Sequence, residues 1–200
     1  MDHPVELGTL SDFLAHMPRG QFLAHLGPGP FLVFHPGLER GESLVCTPPD
    51  GISLAETWAD AEQTTLAGRS PIHGIASRVS VVAPLRKSQR NPFCGVITVG
   101  RARTNDVRLA APSVSKIHAL LYPGQDPWRI QDNDSTNGTW VNGAALPPRE
   151  LRGLASASEL TLGRVRCVFL EPAGVLALCS FVPREQASAR RVAVSPARPG

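Results

Sequence analysis

The 200-residue chain has 42% hydrophobic and 18% charged residues, which excludes disorder over its whole length and leaves room for one well-cored domain with extra material, or two small domains. Its formal net charge is +3, and the stretch from Val182 to Gly200, with Arg184, Arg190, Arg191 and Arg198 against Glu185, itself contributes +3. The remainder is therefore close to neutral, which argues against a broad nucleic-acid-binding face, since that needs clustered basic charge on the folded part.

The N-terminus, "MDHPVELGTL", lacks the basic start and apolar core of a signal peptide. Residues 8–26, "GTLSDFLAHMPRGQFLAHL", predict two short helical pieces interrupted at Pro18 and Gly20, with Ser11 a candidate N-cap. Turn formers in "GPGPFLVFHPG" bracket a strand, Phe31 to Phe34. A Pro/Gly turn in "TPPDG" leads into a predicted helix from Ser53 to about Leu66. "FLAHL" and "FLVF" are too apolar to stay solvated, so this N-terminal third is expected to pack on the rest or form a small adjunct.

From Arg78 the texture changes to short β-branched runs: "VSVVAPL", "GVITVG", "DVRLA", "HALLY", "WRIQD", "TWVNG", "ELTLG" and "RCVFL". Turn residues fill nearly every gap, and the strands lie too close together for intervening helices. This predicts a mainly β chain, an antiparallel sandwich or barrel, with a small mixed α/β region before it. The longest apolar stretch, "AGVLALCSFV", is about half of the roughly 20 residues that span a bilayer. Past Pro183, "REQASARRVAVSPARPG" is polar and Pro-containing and predicts a disordered tail. The division is thus 1–77, an N-terminal region of unknown role, 78–182, the β-rich domain, and 183–200, the tail.

Cys46, Cys94, Cys167 and Cys179 are widely spaced, with no C-x-x-C and no zinc-type Cys/His pairing, so buried free thiols in a reducing compartment are expected. His16, His25 and His35 do not form a one-turn helical pair. No glycine-rich run precedes Lys87 or Lys116 as a phosphate loop would require. We expect no metal, no cofactor, no membrane segment and a cytoplasmic location.

Three polar clusters follow apolar strands: "VGRARTNDV" at 99–107, "SVSKIHALL" at 113–121 and "DNDSTNGTWVNG" at 132–143. Polar residues at strand ends belong to loops, so the three fall at one rim. Singly they admit structural readings. Arg101 can be a surface arginine, and Ser115 with His118 a turn serine beside a core histidine. Asn142-Gly143 fits a type I′ hairpin, whose two central residues need positive φ, and Asn137-Gly138 can be another. As an enzyme, Ser115 and His118 would serve as nucleophile and base with Asp132 or Asp134 as third member, but no G-x-S-x-G elbow is present.

Together the order Gly-Arg, Ser-Lys-x-His, then Ser-Thr-Asn-Gly-Thr-x-Val-Asn-Gly resembles the forkhead-associated (FHA) domain of bacterial type, from about Arg78 to Val182. The resemblance implies a β-sandwich that binds phosphothreonine peptides through its loops, is not an enzyme, and mediates phosphorylation-dependent protein–protein interaction in signalling. It implies phosphopeptide contacts at Arg101, Ser115, Lys116, Thr136 and Asn137, with the residue matching Asn137 holding the peptide main chain. The residue chemistry agrees: a guanidinium fork, a hydroxyl, an ammonium and an amide are suitable donors for a phosphate dianion and an extended peptide. Gly100, His118, Gly138, Asn142 and Gly143 are expected as supporting residues. The implied partner is a threonine-phosphorylated protein, a Ser/Thr kinase or its substrate. An alternative is an FHA scaffold that binds protein without phosphate, through residues 1–77. Two departures stand out: Lys116 occupies the usual arginine position after the serine, and Ser158-Glu159 in "SASELTLG" replaces a Gly-Asp turn, leaving its local backbone open.

Overall fold

The computed structural model describes residues 3–34, 80–124 and 127–182. The helix expected over Ser53–Leu66, Cys46, His35 and the tail after Pro183 lie outside the described residues. Twelve strands and three helices follow in order: β1 Val5–Glu6, α1 Leu7–His16, α2 Arg19–Leu26, β2 Phe31–Phe34, β3 Val81–Pro84, β4 Ile97–Gly100, β5 Val107–Arg108, β6 Ala119–Tyr122, β7 Trp128–Asp132, β8 Thr139–Val141, β9 Ala144–Leu146, β10 Leu151–Leu154, β11 Ser158–Leu162, β12 Val165–Leu170 and α3 Pro172–Phe181.

The strands form a seven-stranded sheet in the order β1-β3-β2-β12-β11-β8-β9 and a five-stranded sheet in the order β10-β7-β6-β4-β5. Every pairing between named strands is antiparallel except β4 with β5. Alternation decides what each strand buries. In β11, Ser158, Leu160 and Leu162 point inward while Glu159 and Thr161 are partly exposed, and β6 alternates in the same way. Period-two patterning of this kind is what a half-buried sheet face demands. The inner faces meet in a core that includes Leu32, Val99, Leu121, Ile130, Leu160 and Phe169.

β2 breaks the alternation because both of its faces are covered. Leu32 and Phe34 enter the inter-sheet core, whereas Phe31 and Val33 join a second apolar cluster with Val168, Leu170 and residues of all three helices. The helices thus cap the outer face of the larger sheet, with Leu7, Leu10, Phe22, Leu26 and Leu178 buried beneath them. β2 sits between β12 and β3, pairing Cys167 with Phe34 on one side and Val81 with Phe34 on the other. A division of the chain at 77 and 78 therefore cuts this sheet between β2 and β3.

Several local expectations are corrected. The helical break falls at Met17-Pro18, and Gly20 lies inside α2; proline has no N–H to donate, and the first N–H groups of a helix are unpaired anyway. Ser11 lies within α1 instead of capping it, and its hydroxyl donates to the Cys179 carbonyl at 3.1 Å, tying α1 to α3. Cys94 is exposed, while Cys167 and Cys179 are buried and free, their thiols pushed up by burial to about 12. "AGVLALCSFV" belongs to α3, started by Pro172 at its first turn and continuous with the apolar cluster under the cap. β1, β9 and β10 escape sequence patterning because they are short or, like "LRGL", bury only one residue.

If β2 is a central strand, truncating it must destabilise the whole sandwich. Leu32→Ala is expected to cost about 2–5 kcal/mol, the range for deleting a fully buried leucine side chain. Urea unfolding should show a lower midpoint with an unchanged slope; a loss under about 0.5 kcal/mol would place β2 outside the cooperative unit.

Candidate functional site

The rim is built from the β4–β5 loop (101–106), the β5–β6 loop (109–118) and the β7–β8 loop (133–138). Backbone hydrogen bonds zip the first two together: Arg101 N–H donates to Ser115 O at 2.9 Å, Ala102 N–H to Lys116 O at 3.0 Å, and His118 N–H to Val99 O at 2.8 Å. The contact is so close that a Cβ on Gly100 would lie 2.5 Å from Lys116 O and 2.9 Å from His118 N. Only glycine fits there, which explains its place before Arg101.

His118, 0% exposed, joins these loops to the third. The Ser115 backbone N–H donates to its Nδ1 at 3.1 Å, so Nδ1 carries the lone pair. Nε2 must then carry the proton, and it donates to Gly138 O at 3.0 Å. Burial lowers the pKa of His118, against the upward pull of the Gly138 carbonyl and Asp132. The ring is therefore neutral. For Asp132, burial on its own raises the pKa. Hydrogen bonds from Ser135 Oγ (2.6 Å), Thr139 Oγ1 (2.6 Å) and Ser135 N–H (2.9 Å), with His118 nearby, nevertheless hold it below the ordinary aspartate value.

The five residues expected to make contacts come together on this frame. Arg101 is exposed, with its Nε donating to Val114 O at 3.1 Å and both Nη groups without a partner among the described residues. Ser115 Oγ accepts the Thr136 N–H at 3.0 Å and donates to Thr136 Oγ1 at 3.3 Å, bridging two loops. Asn137 is exposed and donates from Nδ2 to Ser113 O at 2.8 Å, leaving Oδ1 open. Lys116 is exposed beside Arg101 through its backbone.

Of the supporting residues, Gly138 has φ +80° and Gly143 φ +77°. Asn142 has φ +51°, so Asn142-Gly143 is the left-handed pair of a type I′ hairpin joining β8 to β9. Asn137-Gly138 is not a second one, since the left-handed residues of that loop are Asp134 and Gly138. The altered turn before β11 is closed by Ser158, whose hydroxyl accepts the Ala155 N–H at 3.1 Å while Ala157 adopts φ +72°. Asn142 Oδ1 then accepts the Glu159 N–H at 2.8 Å.

Sequence reasoning missed Asn105, buried at the base of the rim, whose Nδ2 donates to Ala102 O (2.9 Å) and Lys116 O (2.7 Å). It also missed Asp106, which accepts from Ser88 N–H and Thr98 N–H at 2.6 and 2.8 Å. The "TND" stretch reads as ordinary turn composition, and only the tertiary contacts give these residues a role. Among the described residues no group of three or more His, Cys, Asp or Glu is arranged to hold a metal, and no helix is long and apolar enough to cross a membrane.

A rigid two-sheet scaffold that presents adjoining polar loops at one end defines a loop-based recognition module. A family model for the FHA domain matches residues 97–163. The chain is 30% identical over 112 residues to the oxoglutarate dehydrogenase inhibitor of Corynebacterium efficiens, covering 52% of this chain and 77% of that protein. It is 34% identical over 95 residues to an ABC transporter ATP-binding/permease protein of Mycobacterium tuberculosis, 48% of this chain but only 10% of the transporter's length. A solved structure from an analysis of phosphothreonine-dependent FHA domain interactions is 27% identical, with a TM-score of 0.37, covering 44% of this chain and 82% of that one. This chain belongs to the FHA domain family.

The neutral, buried His118 makes stability depend on pH with a definite sign. Its folded pKa lies below the unfolded value of about 6.5, so between the two the unfolded chain binds the extra proton. That contribution is complete above about pH 6.5 and is lost as pH falls through the folded value. Asp132's share, from a lowered carboxyl, is present above about pH 4 and is lost on further acidification. Thermal melts should be level near neutrality and fall below about pH 6.5, with the first decline flattened in His118→Gln. NMR titration of the ring in the wild-type protein, showing a pKa at or above 6.5, would contradict the tautomer assigned here.

Proposed function

We propose that the rim binds a phosphothreonine-containing segment of a partner protein, making the chain a phosphorylation-dependent adaptor in signalling. The observation that carries this reading is Arg101, whose Nε is fixed on Val114 O, whose two Nη groups have no partner among the described residues, and whose backbone N–H is bonded to Ser115 O. That is a pre-oriented guanidinium fork, the geometry that suits phosphate oxygens. Ser115 already accepts from Thr136 N–H, so its own proton can swing from Thr136 Oγ1 to a phosphate oxygen. Lys116 supplies an ammonium, without the planar fork of the arginine usual in the family. Asn137 keeps its Oδ1 for a peptide N–H while Nδ2 is anchored to Ser113.

Catalysis at Ser115 is disfavoured by the same geometry. His118 spends Nδ1 on the Ser115 backbone N–H and Nε2 on Gly138 O, so neither nitrogen is available to the hydroxyl. We take the partner to be a Ser/Thr kinase or a kinase substrate, the compartment to be the cytoplasm, and the working unit to be 78–182 completed by the strands and helices of 5–34. The second reading, phosphate-independent protein binding, is favoured by one observation: Phe13 and Phe181 on the helical cap are 45% and 60% exposed.

Arg101→Ala should leave the fold intact and cost about 2–5 kcal/mol of phosphopeptide affinity, enough to take a micromolar complex beyond detection. Calorimetric binding within threefold of wild type would show the pocket to be wrongly assigned. Phosphothreonine should also be preferred to phosphoserine by roughly five- to thirtyfold. One buried methyl is worth about 0.8 kcal/mol, and β-branching restricts χ1 in the free ligand. Phosphotyrosine should fail because its ring holds the phosphate too far from the peptide main chain for Arg101 and Asn137 to engage both. Fluorescence anisotropy with matched phosphothreonine, phosphoserine, phosphotyrosine and unmodified peptides measures this, and equal binding of the unmodified peptide would favour the phosphate-independent reading.

A further inference from the structure

Three consecutive carbonyls hold both halves of the rim. Ser113 O accepts from Asn137 Nδ2 at 2.8 Å, Val114 O from Arg101 Nε at 3.1 Å, and Ser115 O from the Arg101 backbone N–H at 2.9 Å. Residues 113–115 thus form a crossbar between the guanidinium assigned to the phosphate and the amide assigned to the peptide main chain.

What fixes the crossbar differs along its length. Val114 is 1% exposed in the inter-sheet core and its N–H donates to Ala111 O at 3.0 Å, so its carbonyl is set by the sandwich itself. Ser113 is held instead by the β11–β12 turn, Gly163-Arg164, which supplies none of the five expected contacts. The Ser113 hydroxyl oxygen accepts the Arg164 backbone N–H at 3.2 Å. Gly163 passes so close that a Cβ there would lie 2.3 Å from Ser113 O and 2.9 Å from Ser113 C, so glycine alone allows the approach. The Gly163 N–H donates in turn to Gly138 O at 3.0 Å, one residue past Asn137. The turn therefore reaches the Asn137 loop by two routes, through Gly138 directly and through Ser113.

We propose that Ser113 is a positioning residue for peptide binding: clamped by the β11–β12 turn, its carbonyl aims the Asn137 amide at the peptide main chain, so the turn governs main-chain recognition without touching the ligand. The inference rests on the phosphothreonine reading of the same rim. Asn137 is exposed, and an amide side chain without an anchor there samples several rotamers whose loss opposes binding. With Nδ2 fixed on Ser113 O, Oδ1 is presented in one direction to accept a peptide N–H. In Ser113→Ala the Arg164 N–H loses its acceptor, the turn and the crossbar loosen from one another, and the Ser113 carbonyl no longer holds one orientation. Arg101 keeps its anchors on Val114 and Ser115, so the phosphate half is spared.

A phosphothreonine peptide and free O-phosphothreonine, which lacks the flanking main chain, separate the two halves. Ser113→Ala should weaken peptide binding about three- to tenfold, the size of one hydrogen bond's contribution, and leave free phosphothreonine within twofold of wild type in an NMR titration. In an Asn137→Ala background the same substitution should change peptide affinity by less than about twofold, because the group it positions is gone. Unchanged peptide affinity in Ser113→Ala, a loss shared equally by peptide and phosphothreonine, or a loss undiminished in Asn137→Ala would overturn the inference while leaving phosphothreonine binding in place. The wild-type protein supplies a reading that needs no variant to fold: the Asn137 side-chain N–H should exchange slowly with solvent, as a bonded donor does. Exchange as fast as that of an unbonded surface asparagine would equally overturn the inference. An unmodified peptide bound as tightly as its phosphorylated form would overturn the phosphothreonine reading, and this inference with it.

Discussion

His118 is sealed from solvent, so both ring nitrogens must find partners inside the protein, and each finds one on a different loop. An unpaired polar group at that depth costs about 1–3 kcal/mol, so the ring enforces the approach of the two loops as well as accompanying it. Ser115 is held by its backbone N–H, leaving its hydroxyl for the surface. Gly138 O accepts from His118 Nε2 and also from Gly163 N–H at 3.0 Å, which ties the rim to the β11–β12 turn. Gly163 itself, at φ +63°, passes so near Ser113 that a Cβ would lie 2.3 Å from its carbonyl oxygen. The surface chemistry is thus placed by groups that never reach the surface.

This arrangement separates two kinds of polar residue. His118, Asp132 and Thr139 have their side-chain polar atoms committed internally and serve as struts, as does Asn105 through its Nδ2. Arg101, Ser115 and Asn137 each keep at least one donor or acceptor open while another side-chain atom is anchored to backbone. Anchoring at one atom reduces the side-chain freedom that binding must remove, a cost of roughly 0.5–1.5 kcal/mol for each long side chain. Preorganisation of this sort is available only because the β-sandwich below is rigid.

Much of the fold and of the rim was legible in the sequence, for reasons that can be stated residue by residue. Strands such as "SELTL" announce themselves through alternation, and Asn142-Gly143 through the positive φ that both turn positions require. Arg101, Ser115, Lys116, Thr136 and Asn137 stood out because three clusters came in a fixed order, although each alone was ambiguous. The remainder depended on contacts between distant residues. "FLVF" reads as a strand but does not say that it lies between β3 and β12, and "LRGL" at β10 has no pattern because its neighbours leave three of its four residues at least partly exposed. Asn105 and Asp106 look like turn residues, and their partners lie on other loops.

The placement of β2 sets an order of events during synthesis. Phe31–Phe34 emerges early, yet one of its two partner strands, β12, begins only at Val165. A contact spanning so much of the chain is slow to close, and the sandwich cannot be completed until the C-terminal part has left the ribosome. Until then the nascent chain holds a fully apolar four-residue segment that is destined for burial on both faces. The helices on either side of "FLVF" in the native cap, two made just before it and one made last, are what finally cover its outer face. Translation speed and chaperone access over that interval therefore bear on yield as directly as the final stability of the protein does.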